Sequence, residues 1–176
     1  MKNLIFVVLT AIVFVSCEQK ETDITPTFKE SVEFSVVEPS FNVEDAIPAE
    51  NIKNVAETAE FDGSVDLKDI WLEVKTKKGN SANMALVNIV LTDKGNEIQL
   101  LNEDMVVVLE EDVTIVPLIS ILSAEGQNEI ISKLNDIAAG NDDSNIELTL
   151  KGETFYSSGM TGSVDIDMEM FIRYSF

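Results

Sequence analysis

The sequence predicts a mainly β fold: an antiparallel β-sandwich of about seven to nine strands with one α-helix packed on it. Three observations carry that expectation. Apolar residues recur with a period of two over most of the chain, Gly- and Asn-bearing turns separate the runs, and one stretch around residue 130 shows helical spacing instead. Successive side chains of a strand point to opposite faces, so alternation marks one buried and one solvated face.

Taken in order, Val32, Phe34 and Val36 alternate with polar neighbours. Glu44 to Glu60 is ambiguous: Ile52, Val55, Ala56 and Ala59 fit one helical face, whereas Pro48, Asn51 and Asn54 do not favour a helix. A helix, a strand and an irregular crossing all stay open there. Val65 and Leu67 share one parity and Ile70, Leu72 and Val74 take the other, which predicts a β-bulge near Lys68-Asp69. Lys77-Lys78-Gly79-Asn80 reads as a hairpin turn, and Asp93-Lys94-Gly95-Asn96 as a second one between the runs 84–92 and 97–101. Val113 to Leu122 is almost wholly apolar, and is expected to be a buried strand running into the helix, with Glu110-Glu111-Asp112 guarding it against aggregation.

The helix is expected over Ser123 to Ala139. Ile130, Ile131, Leu134, Ile137 and Ala138 lie on one face, Ser123 suits the N-cap, and Gly140 suits the position after the C-cap. Ile146, Leu148 and Leu150 then alternate again. The chain closes on the cleanest strand, with Val164, Ile166, Met168, Met170, Ile172, Tyr174 and Phe176 on one face.

The N-terminus reads differently. Lys2 precedes Leu4 to Val15, which is apolar except for Thr10. That is the length of a signal-peptide core and short of the roughly 20 residues a membrane-spanning helix needs. Phe14-Val15-Ser16-Cys17 follows at once, and it resembles the lipobox of bacterial lipoproteins, with Phe14 standing where the commonest pattern has Leu. The resemblance implies cleavage before Cys17 and attachment of the membrane lipid to that cysteine. Residues 1–16 are then a signal peptide, 17–27 a polar lipid-anchored tether, and 28–176 a single sandwich domain. Acidic residues just after Cys17 are also similar to the surface-export signal of Bacteroidota lipoproteins. This implies a cell-envelope location at the outer membrane, surface-exposed rather than periplasmic. No family is recognised for the domain itself.

Charge narrows the partners. With 32 Asp and Glu against 12 Lys and Arg, the formal net charge is −20. A field of that sign repels phosphate backbones, so nucleic acid is excluded as a partner. It also disfavours lying flat on anionic lipid, which leaves the lipid on Cys17 as the membrane contact.

Absent residue types narrow the chemistry. Histidine is missing and the one cysteine is the expected anchor. No Ser-His-Asp or Cys-His arrangement and no histidine or thiolate metal site can be built. The eight glycines form no phosphate-binding loop. Carboxylate chemistry of the glycosidase kind remains, although an acid pair among so many acids is no signal.

Calcium takes oxygen ligands, and Asn141-Asp142-Asp143-Ser144-Asn145 packs such donors together. Asp142, Asp143 and Asn145 are therefore the candidate calcium ligands, against the favoured reading of a polar helix-to-strand connection. Asp165, Asp167 and Glu169 share a strand face and read as solvated. Trp71 and Phe171 fall on the polar-face parity of their strands, where they would form a platform for a sugar ring or a partner's side chain. The favoured alternative has the helix over 123–139 covering that face and making both core. Phe155 and Tyr156, beside Ser157-Ser158-Gly159, supply another candidate aromatic contact.

The expectation is a membrane-anchored, non-enzymatic binding or structural module for glycan or protein. A calcium-dependent adhesion module is the alternative, followed by a small carboxylate-based hydrolase.

Overall fold

The computed structural model describes residues 26–109, 112–156 and 162–176. Cys17, the signal-peptide segment, nearly all of the tether, Glu110, Glu111 and the 157–159 turn lie outside the described residues.

Among the described residues nine strands form two antiparallel sheets, as the alternation predicts. The four-stranded sheet runs β1 (Phe28–Val36), β9 (Ile166–Ser175), β3 (Asp66–Thr76), β7 (Val113–Pro117) from edge to edge. The five-stranded sheet runs β2 (Ser40–Ile47), β8 (Ile146–Phe155), β4 (Met84–Asp93), after which β5 (Asn96–Gln99) and β6 (Met105–Val108) pair successive parts of the same side of β4. Inward residues stack in cross-strand rows such as Val32–Met170–Leu72 and Phe34–Met168–Val74. All six of these side chains are essentially inaccessible. Ile89, Leu91, Leu148 and Leu150 do the same from the facing sheet.

The bulge falls where the parity switch places it, with register shifting between Leu67 and Asp69. Asp93-Lys94-Gly95-Asn96 closes the β4–β5 hairpin, with positive φ at Lys94 (50°) and Gly95 (83°), the pair of left-handed residues a two-residue hairpin turn requires. Lys77–Asn80 is a turn as well, closed by the Asn80 N–H to the Lys77 carbonyl at 3.0 Å. It is not a hairpin, because β3 and β4 lie in different sheets. A turn signature fixes local backbone, whereas the sheet the next strand joins is decided by packing.

Two helices are present among the described residues, where the sequence led to the expectation of one. α1 (Ala49–Thr58) occupies the ambiguous stretch and buries Ala49, Ile52 and Ala56. It begins at Pro48 with no side-chain cap of its own; the Ala49 N–H donates instead to Asn145 Oδ1, 96 residues away, at 3.1 Å. α2 (Ala124–Ala138) is the expected helix. Ser123 Oγ accepts from the Gly126 N–H at 2.8 Å, and Gly140 (φ 72°) closes the far end. There the Gly140 and Asn141 N–H groups return to the Ile137 and Asp136 carbonyls, the paired bonds of a Schellman motif.

A second correction concerns Val113 to Leu122. Its β portion is an edge strand rather than a buried one: Val113 and Ile115 are exposed, while Leu118 and Leu122, in the turn leading to α2, are buried. A five-residue apolar strand looks the same in sequence whether a neighbour covers it or not.

Candidate functional site

The candidate residues around the helix-to-strand loop are bound into the protein itself. Asp142 Oδ1 accepts from the Ser144 backbone N–H (2.7 Å) and hydroxyl (2.6 Å), and its Oδ2 accepts from Lys133 Nζ at 2.9 Å. The same ammonium donates to Asp93 Oδ1 and to Ser144 Oγ, each at 2.6 Å. The Ser144 hydroxyl and Lys133 hold the Asp142 carboxyl far below the usual carboxylate range. Burial alone would lower Lys133, but its bonds to Asp93 and Asp142 outweigh that and raise it. Asp143 pairs with Lys53, and Asn145 caps α1. The three proposed calcium ligands are thus engaged by internal partners, and the cations beside them are the ammonium groups of Lys133 and Lys53. No group of three or more Asp, Glu, His or Cys residues placed to hold a metal occurs among the described residues.

The aromatic pair is real, but its cover differs from either expectation. Trp71 and Phe171 are register partners on β3 and β9 and stack at 4.9 Å between ring centroids and 16° between planes. No helix lies over them: Lys29, Ser31, Glu33 and Arg173 of the same face are exposed. The stack is closed by its own cations, with Lys29 Nζ 4.3 Å from the Phe171 centroid and the Arg173 guanidinium 5.9 Å from that of Trp71. Phe171 is left only 6% exposed. Tyr156 is half-buried and donates its hydroxyl to the Gly162 carbonyl at 3.0 Å, which makes it a strut rather than a free contact.

The surface that remains open is apolar and lies along one side of the sandwich. Of the large apolar side chains exposed among the described residues, Met84, Val106, Val108 and Phe155 cluster there, whereas Val113 and Ile115 lie on the outer face of the four-stranded sheet at its β7 edge and Val37 lies elsewhere. Register explains the cluster: Met84 pairs with both Phe155 and Val108, and half-buried Leu86 pairs with Val106, giving a continuous patch on the outer face of the five-stranded sheet. β6 and β7 meet at this side, where the Thr114 hydroxyl donates to the Val108 carbonyl at 3.2 Å. Alternation along 105–117 carries this signal in the sequence. It was missed because the run reads as core.

The two edges of the four-stranded sheet differ at one outward amide. At β1 the Glu33 N–H is occupied by Asp45 Oδ2 at 2.9 Å, a carboxylate reaching in from β2. At β7 nothing comparable occurs among the described residues. Leu118 N–H to Ile70 O (2.8 Å) and Thr76 N–H to Asp112 O (3.1 Å) fix which residues face β3. By the alternation of an antiparallel ladder these are 112, 114, 116 and 118, so the N–H and C=O groups of Val113 and Ile115 point outward. Among the described residues they have no backbone partner.

A polar groove of about 450 Å³ adjoins the patch on the five-stranded sheet, lined by Asn42, Asn88, Gln99, Asp104 and Lys151 among others. Asn88 Nδ2 donates to Asp104 Oδ1 at 2.5 Å, and its buried Oδ1 has no partner among the described residues.

No family model matches the chain and no curated protein matches it. Among solved structures it is similar to the empty head of turnip yellow mosaic virus, at 11% identity and a TM-score of 0.39, covering 100% of this chain and 89% of that one. It is also similar to Desmodium yellow mottle tymovirus, at 9% identity and a TM-score of 0.36, covering 98% and 94%. Likeness at this level assigns neither family nor function.

Proposed function

We propose that this chain is a lipid-anchored protein of the bacterial cell envelope, held by Cys17, whose sandwich domain works without catalysis as a docking module for another protein. The observation that carries the docking role is the apolar patch formed by Met84, Val106, Val108 and Phe155 on the outer face of the five-stranded sheet. Val106 is 61% and Val108 47% exposed. Contiguous exposed apolar surface marks interaction sites on soluble domains. The anchoring role rests on the Phe14-Val15-Ser16-Cys17 sequence after an apolar run too short to span a bilayer.

Of the two ligand classes the sequence leaves open, the geometry favours protein. A sugar ring stacks on an open aromatic face, and Phe171 has none. The groove beside Asn88 supports glycan as the second reading, through its unpartnered amide oxygen.

The test pairs two variants. Cys17→Ala is expected to lose metabolic palmitate labelling and move to the soluble fraction. Val106→Glu/Val108→Glu is expected to keep its melting temperature and its anchor while losing a partner that co-purifies with wild type from detergent-solubilised membranes. Undiminished co-purification by the second variant refutes docking through this face, and undiminished palmitate labelling of the first refutes the anchor.

A further inference from the structure

Building on the docking reading, we infer that the partner is an extended basic polypeptide segment that adds as a fifth strand to the free edge of β7.

Three observations combine. The first is the open ladder: the N–H and C=O groups of Val113 and Ile115 point away from β3 and meet nothing among the described residues. Edge strands left this way are templates for pairing, and proteins usually blunt them. The opposite edge of the same sheet carries one such block, Asp45 on the Glu33 N–H. The second is the side chains. Val113 and Ile115 lie in the cross-strand rows of Lys75 and Glu73, on the outer face, and are 43% and 63% exposed. An added strand would place its own alternate side chains against them.

The third is charge. From Gly95 to Ser132 the sequence contains no Lys or Arg, whereas Glu97, Glu103, Asp104, Glu110, Glu111, Asp112, Glu125 and Glu129 are all acidic. β6 and β7 lie in the middle of that stretch, and the one cation in register with β7, Lys75 beside Val113, is already paired with Glu73 and Glu169. A cationic segment is drawn to it, and a second copy carrying −20 is repelled.

Pro117 sets the limit of the site. It occupies the next outward position after Ile115 and has no N–H to offer, so pairing stops there and the added strand is short.

The experiment uses the full-length protein in non-ionic detergent and a labelled, acetylated hexapeptide of alternating Lys and Val, with a Glu/Val hexapeptide as control and protein-free micelles as background. The Lys/Val peptide is expected to bind, and the Glu/Val peptide to bind at least about tenfold more weakly. Hydrogen exchange should slow at the Val113 and Ile115 amides on binding while Thr114 and Val116, already paired to β3, stay unchanged. Ile115→Pro removes an outward donor without touching the β3 ladder, as Pro117 already does two residues on; it should weaken binding roughly five- to tenfold. N-methylation of one alternate set of peptide amides should abolish binding to wild type and of the other set should not, a readout that needs no protein variant.

Indifference to Ile115→Pro together with equal tolerance of both methylated sets overturns strand addition, and leaves docking through Val106 and Val108 to be judged by its own variant. Equal binding of the acidic peptide overturns the basic partner. Conversion of a wild-type dimer to a monomer by Ile115→Pro makes the occupant a second copy and overturns the inference as well.

Discussion

Replacing Lys133 by Met isolates the interaction that ties α2, the β4–β5 turn and the 141–145 loop into one unit. Its ammonium, 3% exposed, makes three contacts of 2.6, 2.9 and 2.6 Å to Asp93, Asp142 and Ser144. The two aspartate side chains are 14% and 11% exposed. Breaking a buried pair by removing one partner costs about 3–5 kcal/mol, chiefly because a charge is left desolvated. Asp142 keeps both Ser144 bonds, and Lys94 remains 3.9 Å from each carboxylate, so the lower end applies. The expected loss is about 3 kcal/mol in urea unfolding, or roughly 6–12 °C in melting temperature for a domain of this size.

Acid sharpens the comparison. The Asp142 pKa is depressed in the folded state, so its contribution is fully present above its unfolded value of about 4 and is lost only as pH falls on through the much lower folded value. The Lys133 pKa is raised, so its contribution is present below its unfolded value of about 10.4 and is lost only as pH climbs beyond it. Wild type and Lys133→Met should therefore differ fully between about pH 5 and pH 9 and keep most of that difference at pH 3, where the folded Asp142 carboxyl is still ionised. Adding Asp93→Asn and Asp142→Asn to Lys133→Met should restore at least half of the loss at pH 7. A deficit under about 1 kcal/mol at pH 7, or one already gone at pH 4, refutes the assignment.

Three further outcomes follow from packing. Tyr174 is fully buried, its hydroxyl has no partner among the described residues, and burial, with Glu30 nearby, raises its pKa. Tyr174→Phe should be neutral or stabilise by about 1 kcal/mol at pH 7, and should blunt the loss of stability above pH ~10, where the unfolded tyrosine ionises; thermal melts at both pH values check this. Gly126→Ala raises helix propensity by ~1 kcal/mol, yet a Cβ there would sit 2.8 Å from the Leu100 Cα and 2.9 Å from its carbonyl oxygen. A net destabilisation of about 1–3 kcal/mol is expected in urea unfolding. Asn145→Ala removes the distant cap on α1 and should cost about 1 kcal/mol, read from the same curves.

Much of this architecture is legible in the sequence because one face of each long strand is buried. The parity of Val164 to Phe176, the switch at Lys68-Asp69 and the turn at Lys94-Gly95 are local signals, and the structure follows them. α2 carries its own cap and terminator in Ser123 and Gly140, so its ends were readable as well. α1 was not, since the residue that caps it is Asn145 and no local pattern reveals a partner 96 positions away. The cover over Trp71 and Phe171 was misjudged for the same reason: Lys29 and Arg173 reach the stack from register neighbours, not from the sequence around it. The open edge was missed because exposure of Val113 and Ile115 depends on the absence of a further strand beyond β7. Acidic loop composition suggested an ion site, whereas the lysine that serves those carboxylates lies a helix away.

The most direct measurement places a photo-activatable cross-linking residue, one at a time, at Val106, Ile115 and Val37 in the full-length protein expressed in its own cells. Val37 is 66% exposed and apolar but stands apart from the cluster, so it controls for accessibility and stickiness alone. The expected result is one discrete cross-linked species, shared by Val106 and Ile115 and missing from Val37. Equal or absent cross-linking at all three positions would contradict docking through the β6–β7 side.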